Sequence, residues 1–230
     1  MVPRRRQASD LNTLSRPTTD DYADTEGEAG LVKVYPRWFH NMTDYPFLKS
    51  LQKATSLAED LAHVRSSPAS LHKVQRVTLM AAELLHDVLT WTPQPSQVLQ
   101  PFANQVDAAN EVWRNGLLCY MYAELFGLPS SCERIQKSVQ KALPALFSLS
   151  WLQQVQWPLY MIAVHALKLE DQCHVREILQ HFSHKNGFQA SISAQGILDR
   201  VWEQLDRDAS GLNLFKNTMY LSKTKLNITL

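Results

Sequence analysis

The sequence predicts an all-α domain, an irregular assembly of about seven helices. Three observations carry that expectation. Apolar residues recur at three- and four-residue spacing through most of the chain rather than in alternation. Only seven glycines occur, and alternating runs of Val, Ile and Thr are scarce, so little is present from which to build a sheet. Two segments, Val112–Tyr122 and Gln156–Ala166, are dense in bulky apolar residues on every side. A helix that is apolar nearly all round must be surrounded by others, so these two are expected at the centre of the helical assembly.

Taken in order, residues 1–30 form a polar tail, with Arg4, Arg5, Arg6 and Arg16 ahead of an acidic block from Asp20 to Glu28. Too little apolar surface lies there to offset the entropy of ordering it, and disorder is expected. The helical domain is expected over residues 31–222, and residues 223–230 form a short C-terminal tail. Val32–Phe39 is an aromatic lead-in. The first helix starts near Pro46 with Asp44 as cap, and Phe47, Leu48, Leu51, Ala54, Leu57, Ala58, Leu61 and Val64 make its stripe. Ser67-Pro68 restarts the chain, a capping residue followed by a proline suited to the first helical position. The second helix turns Leu71, Val74, Val77, Ala81, Leu84, Leu85 and Val88 inward, until Pro93 and Pro95 break it.

A long third helix is expected from Pro101 to Phe126, closed by Gly127. Ser130 or Ser131 caps a fourth, in which Pro144 predicts a kink or an early end. The fifth begins near Leu152 and is distorted at Pro158; the sixth runs from Glu170 to His184, and the seventh from Ile192 to Asp206. Phe215–Leu221 adds a last short turn. No repeat period is present, so a solenoid is not indicated.

Composition narrows the partners. The formal net charge is +1 and the pI near 7.8, with no electrostatic footprint for nucleic acid. Cys119, Cys132 and Cys173 have no framework spacing, as in a reduced intracellular compartment. The longest apolar run, Trp157–Leu167, is about half of the roughly 20 residues that a membrane span needs. No apolar run follows the basic N-terminus, so it does not read as a secretory signal. A soluble intracellular protein without membrane contact is expected.

The chemistry is sparse. Glu83 and His86 have the Glu-x-x-His spacing of di-iron bundles, but such sites use the motif twice and no second copy occurs. His174, Glu177, His181 and His184 share roughly one helix face beside Cys173, a zinc-compatible set that also reads as the polar stripe opposite Val175, Ile178, Leu179 and Phe182. No phosphate loop, Gly-x-Ser-x-Gly elbow or His-Glu-x-x-His occurs, and neither a metal nor a cofactor is expected. His165, set among Ile162, Ala163, Val164, Ala166 and Leu167, is a satisfied core histidine or an acid/base group. Trp157, Tyr160 and His165 on the fifth helix, with Tyr120 and Tyr122 from the third, make the candidate ligand-binding set. Pro158 removes a backbone donor there, and an imperfectly packed cavity beside it is expected.

Several segments together resemble the C-terminal regulatory domain of the fungal-specific zinc-cluster transcription factors. They are Trp113-Arg114 with Leu117–Tyr122, then Ile135-Gln136 with Val139, then Trp157-Pro158-Leu159-Tyr160 and Glu170-Asp171. The last is Gly187 through Ile197-Leu198, Val201-Trp202 and Asp206. The likeness spans residues 100–210, and more weakly the helices before them. A binuclear zinc cluster needs six closely spaced cysteines, and the first cysteine here is Cys119, so sequence-specific DNA binding is not expected of this chain. His165 stands where relatives carry glutamate, and Gln172 where a basic residue follows the acidic turn.

The resemblance implies a stand-alone regulatory domain in the nucleus, acting on secondary-metabolite gene expression through a protein partner or a small apolar metabolite. The alternative is a small biosynthetic enzyme of cyclase or isomerase type on the same scaffold, in the cytoplasm, with His165 as its acid/base. Fold alone does not choose between them.

Overall fold

In a computed structural model, residues 47–66, 71–92, 103–150, 155–186 and 189–205 are described. The backbone divides into two units, Met1–Tyr35 and Pro36–Leu230, and every described residue belongs to the second. The expected tails, the aromatic lead-in, the Asp44 cap, the Ser67-Pro68 restart and the turn at 215–221 lie outside the described residues.

Among the described residues there are seven helices and no strand: α1 (Phe47–Ser66), α2 (Leu71–Thr90), α3 (Ala103–Glu124), α4 (Glu133–Ser148), α5 (Gln156–Val164), α6 (Leu169–Asn186) and α7 (Gln189–Leu205). The all-α class therefore holds. Helices α1 and α2 lie against one another, as do α6 and α7, and α3 touches α1, α2, α4 and α5. The two dense segments are the centre, as their composition requires. Val112 and Trp113 are buried, as is every residue from Asn115 to Tyr122 and from Pro158 to Ala166.

The amphipathic helices follow their stripes with two corrections. In α1, Phe47, Leu51, Ala54, Leu57, Leu61 and Val64 are buried, but Leu48 is half exposed. It lies about 100° round from Phe47, off the core-facing stripe. In α2, Val77, Ala81, Leu84 and Val88 are buried, whereas Leu71 is exposed because it opens the helix beyond the edge of the core. Arg114 of α3 donates from Nε to the Val88 carbonyl at 3.1 Å, and from Nη2 to that of Leu89. It thereby serves the carbonyls that the last turn of α2 leaves free, a favoured place for a cation.

At the end of α3, Gly127 takes φ 64, and the N–H groups of Gly127 and Leu128 turn back to the carbonyls of Ala123 and Tyr122 at 3.1 and 3.0 Å. Three details of α4 and α5 differ from expectation. The cap of α4 is Cys132, extended at φ −61 and ψ 132 and making no side-chain capping bond, because the Ser130 hydroxyl is engaged elsewhere. Pro144 does not end α4; it lies on an exposed face, where the carbonyl it deprives of a donor is on the solvent side. Nor does Pro158 distort α5. It falls in the first turn, where its N–H would have had no helical partner, and the first bond is Leu159 N–H to the Val155 carbonyl at 2.9 Å.

Candidate functional site

Helix α5 has two different ends, and the expected site residues divide between them. At its start Trp157 stacks on Trp113 (centroids 5.8 Å apart, 20° between planes) and meets Tyr120 edge-on at 5.7 Å. Trp113 stacks in turn on Phe47 at 6.1 Å. Trp157 is only partly buried, a correction to its expected place in the core, whereas Trp113, Leu117, Leu118, Leu159 and Trp202 are buried. Tyr120 donates to Thr55 Oγ1 at 3.5 Å. Its hydroxyl is pushed above the ordinary phenol range, chiefly by burial.

This end also brings α3 and α5 into backbone contact. A Cβ on Gly116 would lie 2.4 Å from Pro158 Cβ and 2.7 Å from its Cα, so only hydrogen fits there. Contact at Pro158 is thus tight, contrary to the expected looseness around it.

At the other end, roughly 12 Å along the axis at 1.5 Å per residue, His165 caps the helix at φ −98 and ψ 5. The chain leaves through tightened bonds, His165 N–H to Ile162 and Ala166 N–H to Ala163, each 3.1 Å. Helix ends leave carbonyls that need donors, and here each donor comes from a different helix. Trp202 Nε1 of α7 donates to the Ala163 carbonyl at 2.9 Å. Gln136 Nε2 of α4 donates to the carbonyls of His165 at 2.9 Å and Ser130 at 2.6 Å. Gln172 Nε2 of α6 donates to that of Ala166 at 3.0 Å.

The His165 ring is 1% exposed. Its Nδ1 shares a hydrogen bond with Ser130 Oγ at 2.8 Å, and its Nε2 is buried with no hydrogen-bond partner. Burial pushes the imidazole down to about 4, so it is neutral near pH 7. Tyr160 is pushed up to about 12 by the same cause. Tyr122 is raised mainly by burial, against which Arg134 acts. The structure thus joins Tyr120 to Trp157 and sets His165 at the far end of the helix. Tyr122 and Tyr160 are buried.

The replacements at 165 and 172 do not meet through their side chains: Gln172 reaches the Ala166 carbonyl, while His165 reaches Ser130. Glu83 and His86 are both exposed. Cys173, Glu177 and His181 are exposed, His174 lies edge-on to Phe147, and the side chains of Phe182 and His184 are outside the described set. Among the described residues, no group of three His, Cys, Asp or Glu side chains is placed to hold a metal ion. None of their helices is long and apolar enough to cross a membrane.

An opening exists where it was not expected. A groove of about 550 Å³ lies between the turn after α5 and the facing sides of α6 and α7, lined by Leu167, Leu169, Gln172, Arg176, Asp199, Trp202 and Glu203. Arg176 donates to Asp199 Oδ1 from Nε and from Nη2, each at 2.9 Å, and its guanidinium lies 4.7 Å over the Trp202 ring. Arg176 and Asp199 are 23 residues apart on separate helices, and no local pattern announces such a pair. The spacing of Asp199 and Glu203, one helical turn apart, is the one signal in reach.

A helical body with a sealed imidazole at its centre and a groove between helices at its edge is an all-α domain whose opening is to one side of its core. The family model of the fungal-specific transcription factor domain matches residues 43–222, more than three quarters of the chain. The chain belongs to that family, and membership supports a regulatory role in transcription. No curated protein and no solved structure matches it.

Proposed function

We propose that this domain regulates transcription by receiving an effector, a small largely apolar metabolite or a protein partner, and that its targets are genes of secondary metabolism. One observation carries the effector reading. Gln172 and Trp202 line the groove, and the same two side chains hold the Ala166 and Ala163 carbonyls at the end of α5. An occupant of the groove lies beside the side chains that fix the central helix, which gives occupancy a route to the core. Tyr120, Tyr122, Trp157, Tyr160 and His165 stand behind that entrance, and all but Trp157 are under a tenth exposed. In this reading they respond to the effector, which is admitted at the groove.

The enzyme reading gains no support from the geometry, since a ring 1% exposed with its basicity suppressed does not reach a substrate. A nuclear location goes with this reading, and the Arg4–Arg6 triplet is compatible with import. Deleting the encoding gene should change transcript levels of a group of secondary-metabolite genes, and the tagged full chain should concentrate in the nucleus. Unchanged transcripts, together with turnover of a pathway metabolite by purified protein, would replace the regulatory reading with the enzymatic one.

A further inference from the structure

The groove has a chemical preference. Its apolar part is Leu167, Leu169 and the Trp202 indole; its charged part is one guanidinium against two carboxylates. The guanidinium is already matched, because Arg176 is bound twice to Asp199 Oδ1 and rests on the Trp202 ring. An entering anion would have to break that arrangement and sit beside Glu203. Glu203 makes no ion pair among the described residues, and Asp199 Oδ2 makes no hydrogen bond there. Gln172 uses its Nε2 on the Ala166 carbonyl, which leaves its Oε1 as an acceptor. The unused polar capacity of the groove is therefore acceptor capacity with a surplus negative charge, next to an apolar wall.

We infer that the groove binds an organic cation, a protonated amine or guanidine carried on an apolar body. The charge sits at Glu203 and Asp199 Oδ2, and the body lies on Leu167 and Leu169. This inference rests on the effector reading above and gives the effector its chemistry. The same chemistry can come from a basic-nitrogen metabolite or from a lysine side chain of a peptide, so the test carries both.

The purified full chain is titrated calorimetrically with n-octylammonium, with octanoate as the charge-reversed control, and with the peptide acetyl-Leu-Lys-Leu-amide. At least one of the two cations should bind saturably, one per chain, and the tighter of them assigns the source. Octanoate should bind at least tenfold more weakly. Glu203→Gln, an exposed position whose change leaves the fold intact, should weaken the cation about tenfold, as loss of one charge-assisted contact does. Octanoate binding as well as the cations, no saturable binding of either cation, or an unchanged affinity in Glu203→Gln would each overturn the inference. Transcript levels in cells do not enter this titration. A failed groove and a failed regulatory role are thus told apart.

Discussion

The two ends of α5 are held by different physics. At the Trp157 end the helix is fixed by shape: stacked rings and a glycine that lets two backbones meet. At the His165 end it is fixed by hydrogen bonds that Trp202, Gln136, Gln172 and Ser130 bring from outside the helix. Shape is specified by a few large residues and fails through cavities. Hydrogen bonding is specified by geometry and fails when one partner is left buried alone. The shaped end carries little titratable chemistry, whereas the bonded end holds a histidine with one nitrogen unserved and two donors that also line the groove. The two modes of fixation are separated by the length of one nine-residue helix.

The comparison breaks most visibly at the shaped end. Trp113→Ala removes the ring shared by Phe47 and Trp157 and should cost about 3–5 kcal/mol in denaturant unfolding. A loss under about 1 kcal/mol would mean that the stack does not hold that end.

Acid should act at the other end. His165 titrates near 4 in the folded chain, against an ordinary imidazole value of 6.5, so between those values the unfolded chain binds more protons. The stability linked to this group is complete above pH 6.5, falls as the pH drops toward 4, and then levels off; the loss is on the order of 3 kcal/mol. His165→Gln should flatten this part of the stability profile relative to the parent. Parallel profiles would show that another group is responsible.

The smallest effect sharpens the contrast instead of breaking it. Ser130→Ala leaves the second ring nitrogen of His165 unserved and should cost about 1–2 kcal/mol. His165→Leu made in that background replaces the remaining polar partner with an apolar one and should recover most of the loss. A double-mutant cycle reads the coupling directly, and additive losses would show that the two side chains act independently.

These outcomes also mark what the sequence discloses. Helix existence and the central role of the two dense segments are legible in it, because periodicity and all-round apolarity are local and strong signals. Local rules fail where a distant residue makes a competing offer. Ser130 follows capping statistics only until a buried imidazole claims its hydroxyl. Pro158 reads as a disruption until its place in the first turn is known, and Leu48 reads as core until the direction of the stripe is fixed. His165 and the tyrosines are marked by their apolar surroundings, but the groove is not. Of its lining, Trp202 reads as part of a closing helix and Gln172 as a departure from the family pattern, Asp199 and Glu203 show only their one-turn spacing, and Arg176 carries no mark of a site.

The contact of Gly116 with Pro158 has a consequence for motion. Side chains at a helix crossing normally act as bearings, changing rotamer so that one helix can slide over the other. Glycine has no rotamer and proline almost none, so this crossing has nothing to give. Such a contact should act as a fulcrum, about which α5 tilts more readily than it slides along α3. A displacement imposed at the His165 end should therefore be largest there and least beside Gly116, and Trp202, whose indole N–H holds the Ala163 carbonyl, is the residue whose fluorescence should report it.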